Sequence, residues 1–414
     1  MEWKEVRLGD VVEIVNGFAF KSKAFTLEGI PVIKIKNIKA GKVILNDLDY
    51  ISTSDINPKY TKIRSSDILI TMTGNRMDGS PETWVGKVSL FRHQGDFYLN
   101  QRVSALRLID DSVDNNFLSY YLSSWQSQLY FALNSNSSGG QANITPAVVQ
   151  EYRLMVPELE TQRSIASILS SLDRKIELNN KINADLEEMA QAIFKNWFVD
   201  FEPFKDGKFV DSELGMIPEG WKIGRLDEIA DIVGGSTPSK AKPEYYTQKG
   251  IAWLTPKDLS NHPAVYSSRG EIDITEEGYN STSTKLMPKG TVLFTSRAPI
   301  GYISIAQNDI CTNQGFKSLV PRKAGTCFLY CFLKYITPEI ENKSTGSTFK
   351  EASGALMKSL QVIMPEQKVF EDFEEIVSPL FAKIESLEKE ISRLSLLRDT
   401  LLPRLMSGEL EVPE

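Results

Sequence analysis

The strongest constraint on this 414-residue chain is an internal duplication with a spacing of about 210 residues. Residues 3–17 return as residues 221–235, and both stretches begin Trp-Lys-x-x-Arg-Leu and end Ile-Val-x-Gly. Further matches follow in the same order: 29–37 with 250–258, 67–71 with 291–295, 85–89 with 300–304, 99–101 with 312–314, and 117–122 with 328–333. A repeat of this kind indicates one structural unit used twice, so the sequence predicts two copies of one domain.

The first part of each copy has the pattern of a β-rich domain. In the first copy, short β-branched stretches at 31–36, 68–72 and 84–91 are separated by Gly, Asn and Ser turns. Stretches of this length and composition, bounded by turn residues, are typical of strands. We therefore predict several short strands in each copy.

The end of each copy changes to a helical pattern. Apolar side chains recur every three or four positions over residues 165–193 and again over residues 369–401, as on one face of an amphipathic helix. Asn179 interrupts the first stripe, and Pro379 is expected to kink the second helix near its start. The pattern predicts two long helices, each following one domain.

The two apolar stripes also suggest how the helices pack. A single stripe of this kind usually packs on its own domain, but two stripes of matching length favour pairing as an antiparallel coiled coil. The fold class is then α+β, with two repeated mixed α/β domains, each followed by a long helix. A helix of about 35 residues spans about 50 Å, which places the two domains at opposite ends of a rod. The predicted boundaries are 1–157 for the first domain, 158–198 for the central helix, 199–220 for a linker, 221–365 for the second domain and 366–414 for the C-terminal helix.

Composition excludes several classes of protein. The start of the chain lacks the apolar stretch of a secretory signal, and no apolar segment approaches the roughly 20 residues of a membrane helix, so we expect a cytoplasmic protein. Three cysteines and two histidines fit no metal-ligand spacing, and Cys327 and Cys331 are expected to be buried free thiols. Phosphate-loop, dinucleotide-binding and nucleophile-elbow motifs are also missing, so we predict a chain without catalytic residues, bound cofactor or metal site.

The net charge of −7 opposes DNA binding at first sight, but its location matters more. Residues 366–414 carry 12 acidic and 6 basic side chains, which accounts for most of the excess negative charge. The rest of the chain is nearly neutral and can present local Lys and Arg clusters to a phosphate backbone.

Several segments give the sequence a resemblance to a known family. Two reading domains on a rigid spacer suit a polymer with a fixed repeat, such as B-DNA. The chain resembles the specificity subunit of Type I restriction-modification systems over nearly its whole length and in the order of its elements. The resemblance rests on the Trp-Lys-x-x-Arg-Leu start of each domain and on residues 99–102, 312–315, 156–163, 364–368 and 401–410.

This resemblance implies a function and a set of partners. Two target recognition domains each bind one half of a bipartite, asymmetric site in double-stranded DNA, and the helices set the spacer between the halves. The helices also hold adenine-N6 methyltransferase subunits, two of them by expectation, in a complex with an ATP-dependent translocating endonuclease subunit. S-adenosylmethionine, ATP and magnesium then belong to those partners.

Candidate DNA-binding residues are polar side chains just past strands, at positions that recur in both copies. In the first domain they are Lys34, Lys36, Asn37, Thr73, Asn75, Arg76, Asn100, Gln101, Arg102, Gln141 and Asn143. In the second domain they are Thr255, Lys257, Asp258, Ser296, Arg297, Asn313, Gln314, Lys317, Ser347, Thr348 and Lys350. The repeated Asn-Gln pair favours a turn or a phosphate contact, whereas positions that differ between the copies, such as Arg76 and Lys350, are better base-reading candidates.

The predicted C-terminal helix is acidic. We expect its acidic side chains, among them Glu371, Glu374 and Glu375, to face a protein partner.

A structural adaptor whose paired domains bind protein is the main alternative function, and it predicts no salt-dependent complex with nucleic acid. An enzyme with an unrecognised site is a third class, and it predicts turnover by the chain alone.

Overall fold

The computed structural model describes residues 3–77, 80–138, 140–344 and 350–412. By its internal contacts the chain divides into two compact units. Unit 1 comprises Met1–Lys175 together with Arg393–Glu414, and unit 2 comprises Ile176–Ser392. Among the helices of the described ranges, none has an apolar stretch long enough to cross a bilayer.

Unit 1 is built mainly from short strands. Its strands are β1 (Lys4–Arg7), β2 (Val12–Asn16), β3 (Phe25–Thr26), β4 (Ile30–Ile33), β5 (Ile38–Lys39), β6 (Lys42–Val43), β7 (Asp49–Ile51), β8 (Ile68–Thr71), β9 (Thr73–Gly74), β10 (Val88–Leu90), β11 (Tyr98–Leu99), β12 (Val103–Leu108), β13 (Asn136–Ser138), β14 (Gln141–Asn143) and β15 (Arg153–Val156). Its helices are α1 (Leu8–Val11), α2 (Asn115–Leu122), α3 (Trp125–Leu133), α4 (Pro146–Gln150) and the first part of α5 (Leu159–Phe198).

Unit 2 follows the same plan. Its strands are β16 (Phe209–Val210), β17 (Ile217–Pro218), β18 (Lys222–Arg225), β19 (Ala230–Gly234), β20 (Tyr246–Thr247), β21 (Trp253–Leu254), β22 (Tyr266–Ser267), β23 (Asp273–Ile274), β24 (Val292–Ser296), β25 (Ile300–Ala306), β26 (Cys311–Thr312), β27 (Lys317–Pro321) and β28 (Gln361–Met364). Its helices are α6 (Pro256–Asn261), α7 (Glu276–Asn280), α8 (Thr326–Lys343), α9 (Gly354–Ser359) and most of α10 (Gln367–Met406).

The sheets confirm that the sequence repeat is a structural repeat. The main sheet of unit 1 has the order β10-β8-β12-β2, and that of unit 2 has the matching order β25-β24-β27-β19 with β22 added at one edge. A two-stranded parallel pair recurs as β4 with β11 and β21 with β26. The predicted α+β class, with two mixed domains each followed by a long helix, is therefore confirmed.

The repeated Trp-Lys-x-x-Arg-Leu segment forms the first strand of each domain, and this strand pairs with the last strand of the same domain. β1 pairs antiparallel with β15, with Lys4 opposite Val156, and β18 pairs with β28, with Lys222 opposite Met364. The register is the same in both units. Each helix thus begins next to the first strand of its domain.

The two long helices contribute to both units. In unit 1, Ile165 and Leu169 of α5 pack in one core with Leu405 and Met406 of α10, and Arg398 contacts Asp173 at 3.0 Å. Helix α10 continues through Pro379, and a kink at that residue stays a prediction. Pairing of the helices as a coiled coil along their whole length stays a prediction.

In unit 2, contacts along the helices run in antiparallel order. Asn179 donates to Glu390 at 2.8 Å, and near the other end of α5, Phe198 contacts Phe370 and Phe373. Asn179, the residue that interrupts the apolar stripe, is fully buried.

An aromatic cluster joins α5 to the second domain. The ring of Phe198 lies 4.9 Å from that of Phe328 on α8, and Trp197 and Trp221 also border this core. Trp197 and Phe198 thus close the end of α5 against the second domain. The segment after α5 is not a bare linker, because β16 and β17 form a hairpin and the ring of Phe204 packs on Trp221.

The acidic side chains of α10 do not all face outward. The carboxylate of Glu374 accepts the backbone N–H groups of Cys327 and Phe328 at 3.3 and 2.8 Å, in the first turn of α8. Free N–H groups at a helix start attract a negative charge. A Cβ atom on Gly325 would lie 2.1 Å from the Glu374 carboxyl carbon, so only glycine leaves room for this contact. The expectation that Glu374 faces a partner is wrong, since it caps a helix of its own unit.

Two predicted strands are shorter than the sequence suggested. β4 ends at Ile33 because a single 3-10 turn, Ile35–Asn37, follows at once. The stretch 84–91 supplies only β10, since Gly86 has a φ of +79° that interrupts an extended strand. Cys327 and Cys331 are free and buried on α8 as predicted, and burial raises the pKa of both thiols.

The glycine that ends the repeated N-terminal motif is required by a close approach of two backbone segments. A Cβ atom on Gly17 would lie 2.1 Å from the carbonyl oxygen of Asn100, and one on Gly235 would lie 2.1 Å from that of Thr312. Contacts this short to backbone cannot be relieved by moving a side chain. The repeat thus preserves glycine because the strand ends pass almost in contact.

The substitution Gly235→Ala is expected to destabilise unit 2 by about 2 kcal/mol or more, because the added methyl group overlaps backbone oxygens. Gly234→Ala is the matched control, since the nearest atom to its Cβ is the Lys317 Cδ at 4.0 Å. Urea unfolding of both variants measures the difference. Equal midpoints for the two variants would contradict the close-approach argument.

Candidate nucleic-acid interface

Backbone hydrogen bonds bring three of the candidate segments of unit 1 together. The N–H of Met72 donates to the carbonyl of Arg102 at 2.9 Å, and the N–H of Ile144 donates to the carbonyl of Met72 at 3.0 Å. Segments 71–76, 99–104 and 141–144 therefore meet at residue 72.

Unit 2 repeats this arrangement with the same two bonds. The N–H of Ser296 donates to the carbonyl of Gly315 at 2.8 Å, and the N–H of Ala352 donates to the carbonyl of Ser296 at 2.9 Å. Segments 295–297, 312–317 and 350–352 therefore meet at residue 296. Both hydrogen bonds join main-chain groups, so they do not require a particular side chain.

A fourth segment is held beside the other three in each unit. Asn100 donates its backbone N–H to the carbonyl of Ile33, and Asn313 donates to that of Leu254, both at 3.0 Å. We call the four segments together the segment cluster. It consists of 33–37, 71–76, 99–104 and 141–144 in unit 1, and of 254–258, 295–297, 312–317 and 350–352 in unit 2.

Two candidate residues hold the turn of the fourth segment. The side chain of Asn37 accepts the backbone N–H of Lys34 at 3.0 Å and donates to the carbonyls of Ile44 and Asn46, and it is buried. Asp258 accepts the backbone N–H of Thr255 at 2.7 Å and also its hydroxyl. These hydrogen bonds give both residues a structural role, and they leave Asn37 no surface for DNA.

The repeated Asn-Gln pair divides into an inner and an outer residue. Asn100 accepts the N–H of Arg102 at 3.3 Å, and Asn313 accepts the N–H of Gly315 at 2.8 Å, so both hold the same turn. Gln101 and Gln314 are exposed, and Gln314 accepts a hydrogen bond from the Thr237 hydroxyl.

The remaining candidates of unit 1 form a polar surface with few ion pairs. Thr73 donates to the side chain of Asn143 at 2.8 Å across paired strands, and Arg102 reaches Gln141 at 3.4 Å. Asn75 and Arg76 are exposed, and Arg76 has no ion pair within the described residues. Amide, hydroxyl and guanidinium groups of this kind can donate to or accept from base edges.

Lys34 and Lys36 are less free than the sequence suggested. Lys34 lies 3.0 Å from Asp49 and its amine lies 3.6 Å from the centre of the Phe25 ring. Lys36 contacts Asp47 at 2.8 Å and Asp49 at 3.3 Å, and the hydrogen bond to Asp47 raises the pKa of Lys36. Both cations already have carboxylate partners in this structure.

The candidates of unit 2 are more highly charged. Arg297 and Lys317 both approach Glu351, at 3.4 and 3.5 Å, whereas Ser296 is buried with its hydroxyl on the Gly315 carbonyl. Lys350 is exposed and its amine reaches the carbonyl of Glu341 at 3.4 Å. Exposed Lys257 lies 3.6 Å from Glu271. Two other candidates, Ser347 and Thr348, lie outside the described residues.

Lys87 lies beside the segment cluster of unit 1 and was missed by the sequence reasoning. Its backbone N–H donates to the hydroxyl of Thr71 at 2.9 Å, as that of Tyr302 does to Thr295 at 2.8 Å. Only 8% of Lys87 is exposed, and within the described residues its amine has no ion pair. Burial and the nearby charge of Lys39 lower the pKa of Lys87 to about 8. A lysine within a strand pattern usually indicates a surface position, so the sequence alone did not indicate that Lys87 is buried.

Replacing Lys87 by methionine is expected to stabilise unit 1 at pH 7 by on the order of 1–3 kcal/mol, since folding no longer buries a charge. The lowered pKa means that the unfolded state binds more protons between about pH 8 and 10.5, so wild-type stability should rise with pH in that window. Unfolding midpoints at pH 7 and pH 10 measure both effects. Exposed Lys59→Met is the control, and equal pH dependence of Lys87→Met and wild type would refute the argument.

A profile of one protein family matches most of this sequence. The family is described as Type I restriction modification DNA specificity domain, and the match covers residues 1–188 and 218–395.

Two specificity subunits of Type I restriction enzymes are similar to this chain in sequence. The Type I restriction enzyme MjaIX specificity subunit of Methanocaldococcus jannaschii is 38% identical over 186 residues, which are 44% of this chain and 43% of the relative. The chain thus spans less than half the length of that protein. The Type I restriction enzyme HindI specificity subunit of Haemophilus influenzae is 26% identical over an alignment of 478 positions, covering 99% of this chain and 100% of the relative.

A solved structure has the same fold. The crystal structure of a Type I restriction-modification system S subunit from M. genitalium matches with a TM-score of 0.60 at 19% identity. The match covers 98% of this chain and 96% of that one.

Proposed function

Because this chain belongs to the Type I restriction-modification DNA specificity family, we propose that it gives a Type I restriction-modification complex its DNA sequence specificity. Each of the two domains reads one half of a bipartite, asymmetric site in double-stranded DNA. The observation that carries this proposal is the segment cluster, which has the same backbone hydrogen bonds in both units but different side chains.

The chemistry of the two clusters supports recognition of different sequences. Around residue 72 the cluster of unit 1 offers hydroxyl, amide and guanidinium groups from Thr73, Asn143 and Arg102. Around residue 296 the cluster of unit 2 offers a guanidinium, an amine and a carboxylate from Arg297, Lys317 and Glu351. Base pairs differ in their donors and acceptors in the major groove, so unlike side chains on one backbone arrangement select unlike sequences.

The long helices serve as spacer and docking surface in this proposal. Leu178, Met189 and Ile376 each leave about half of their surface exposed on the helical segments of unit 2. Apolar side chains exposed on a helix favour a protein partner. Methyltransferase subunits occupy this surface, and S-adenosylmethionine, ATP and magnesium bind to those subunits and to the endonuclease subunit. The chain itself recognises DNA and contributes no catalytic residues.

Mapping of N6-methyladenine tests the proposal in cells that express the cognate methyltransferase subunit with or without this chain. A bipartite motif with a fixed spacer is expected only when the chain is present. If both proteins are expressed and soluble but no motif depends on the chain, the specificity role fails and the adaptor function becomes the better account.

Arg76→Ala is expected to relax specificity in one half-site only, at a cost of about 1–3 kcal/mol for the cognate base, because Arg76 is exposed in the segment cluster of unit 1. Competition binding with DNA variants of each half-site, measured with the assembled methyltransferase, gives the cost. Arg153→Ala is the control, since Arg153 is an exposed arginine paired with Glu5 on the sheet β1-β15. Uniform weakening on all sequences would assign Arg76 to a phosphate instead.

A further inference from the structure

Glu351 occupies a position that the sequence reasoning did not select. Its carboxylate lies 3.4 Å from the guanidinium of Arg297 and 3.5 Å from the amine of Lys317. Lys317 is mostly buried, whereas Glu351 is 39% exposed and Arg297 35% exposed. One carboxylate therefore faces two cations within the segment cluster of unit 2.

The backbone hydrogen bonds identify the counterpart of this group in unit 1. Ala352 bonds to Ser296 as Ile144 bonds to Met72, so Glu351 corresponds to Asn143 and Arg297 corresponds to Thr73. The side chains at these two positions contact each other in both units. In unit 1 the contact is the 2.8 Å hydrogen bond from Thr73 to Asn143, and in unit 2 it is the ion pair of Arg297 with Glu351.

We propose that this pair of positions determines specificity in each domain, and that Glu351 is the positioning residue that orients Arg297 for a guanine in the second half-site. The inference rests on the proposed function. A guanidinium can donate two hydrogen bonds to the O6 and N7 atoms of guanine, whereas a threonine–asparagine pair cannot present that pattern. The same location thus holds a neutral pair in one domain and a charged pair in the other.

The geometry explains why a carboxylate is needed there. The 3.4 Å contact between the partly exposed side chains of Glu351 and Arg297 stabilises the fold little, so Glu351 can share Arg297 with a base. Without Glu351, Arg297 and Lys317 leave two uncompensated positive charges beside the DNA. Such charges attract phosphates of any sequence, which raises non-specific binding and its salt dependence. Loss of Glu351 should therefore reduce discrimination between sequences.

The test uses Glu351→Gln in the full chain with its cognate methyltransferase subunit. In N6-methyladenine maps, the first half-site should stay unchanged, while one position of the second half-site becomes degenerate with about a tenfold loss of discrimination. Binding to a DNA duplex that lacks the motif should become tighter at low salt and fall more steeply with salt than for wild type. Asp231→Asn is the matched control, because Asp231 pairs with Arg322 at 3.2 Å outside the segment cluster and its loss should leave the motif unchanged.

A second substitution separates orientation from folding. The double exchange of Arg297→Thr with Glu351→Asn transfers the neutral pair of unit 1 to unit 2, and it is expected to change the preferred base at that position of the second half-site. Unchanged second half-sites in both variants overturn the inference, provided that wild type yields its motif. If Glu351→Gln unfolds at a lower temperature and loses methylation at both half-sites equally, Glu351 is a structural residue and the inference is also overturned. If wild type itself yields no motif that depends on the chain, the proposed function fails instead.

Discussion

The architecture of both units depends on backbone hydrogen bonds that converge on one residue at the end of a central strand, Met72 in unit 1 and Ser296 in unit 2. They join segments that are distant in sequence, and the glycines at 17 and 235 permit the close approach of a further segment. Since main-chain groups make these bonds, they are the same in both units although the side chains around them differ. One backbone arrangement of this kind can carry different recognition residues.

Much of the fold could be predicted because a repeat reports long-range structure directly. Most matched segments became matched strands, the pair 117–122 and 328–333 became helical, and the two apolar stripes became α5 and α10. The site was harder to predict, because a polar residue after a strand can either face solvent or hold a turn. Asn37 and Asp258 hold turns, while Gln101 stays exposed, and no local pattern separates the two outcomes. Glu351 and Lys87 were missed for a related reason, since their surroundings come from segments far away in the chain.

Many charged side chains of this protein form ion pairs with one another, so the net charge of the chain does not predict where DNA binds. Lys34 and Lys36 are held by Asp47 and Asp49, and Glu351 lies between two cations, so many basic groups near the cluster already face carboxylates. The acidic C-terminal helix likewise uses Glu374 inside its own unit. Net charge thus says little about which surface meets a phosphate backbone. A compensated cluster also costs a protein its general attraction for DNA, and what remains depends more on the match between side chains and bases.

The composition of unit 1 has a consequence for how the chain is made. Its core includes Leu405, Met406 and Val412, and a Cβ atom on Gly408 would lie 2.8 Å from the indole nitrogen of Trp3. Of the two units, the one whose synthesis begins first therefore completes its core only with residues that follow all of unit 2 in the sequence. Unit 2, whose segments are contiguous in sequence, has every residue it needs before that moment. On a translating ribosome the two units are thus completed in the opposite order to that in which their synthesis begins. A chain that stops before residue 405 leaves the core of unit 1 incomplete.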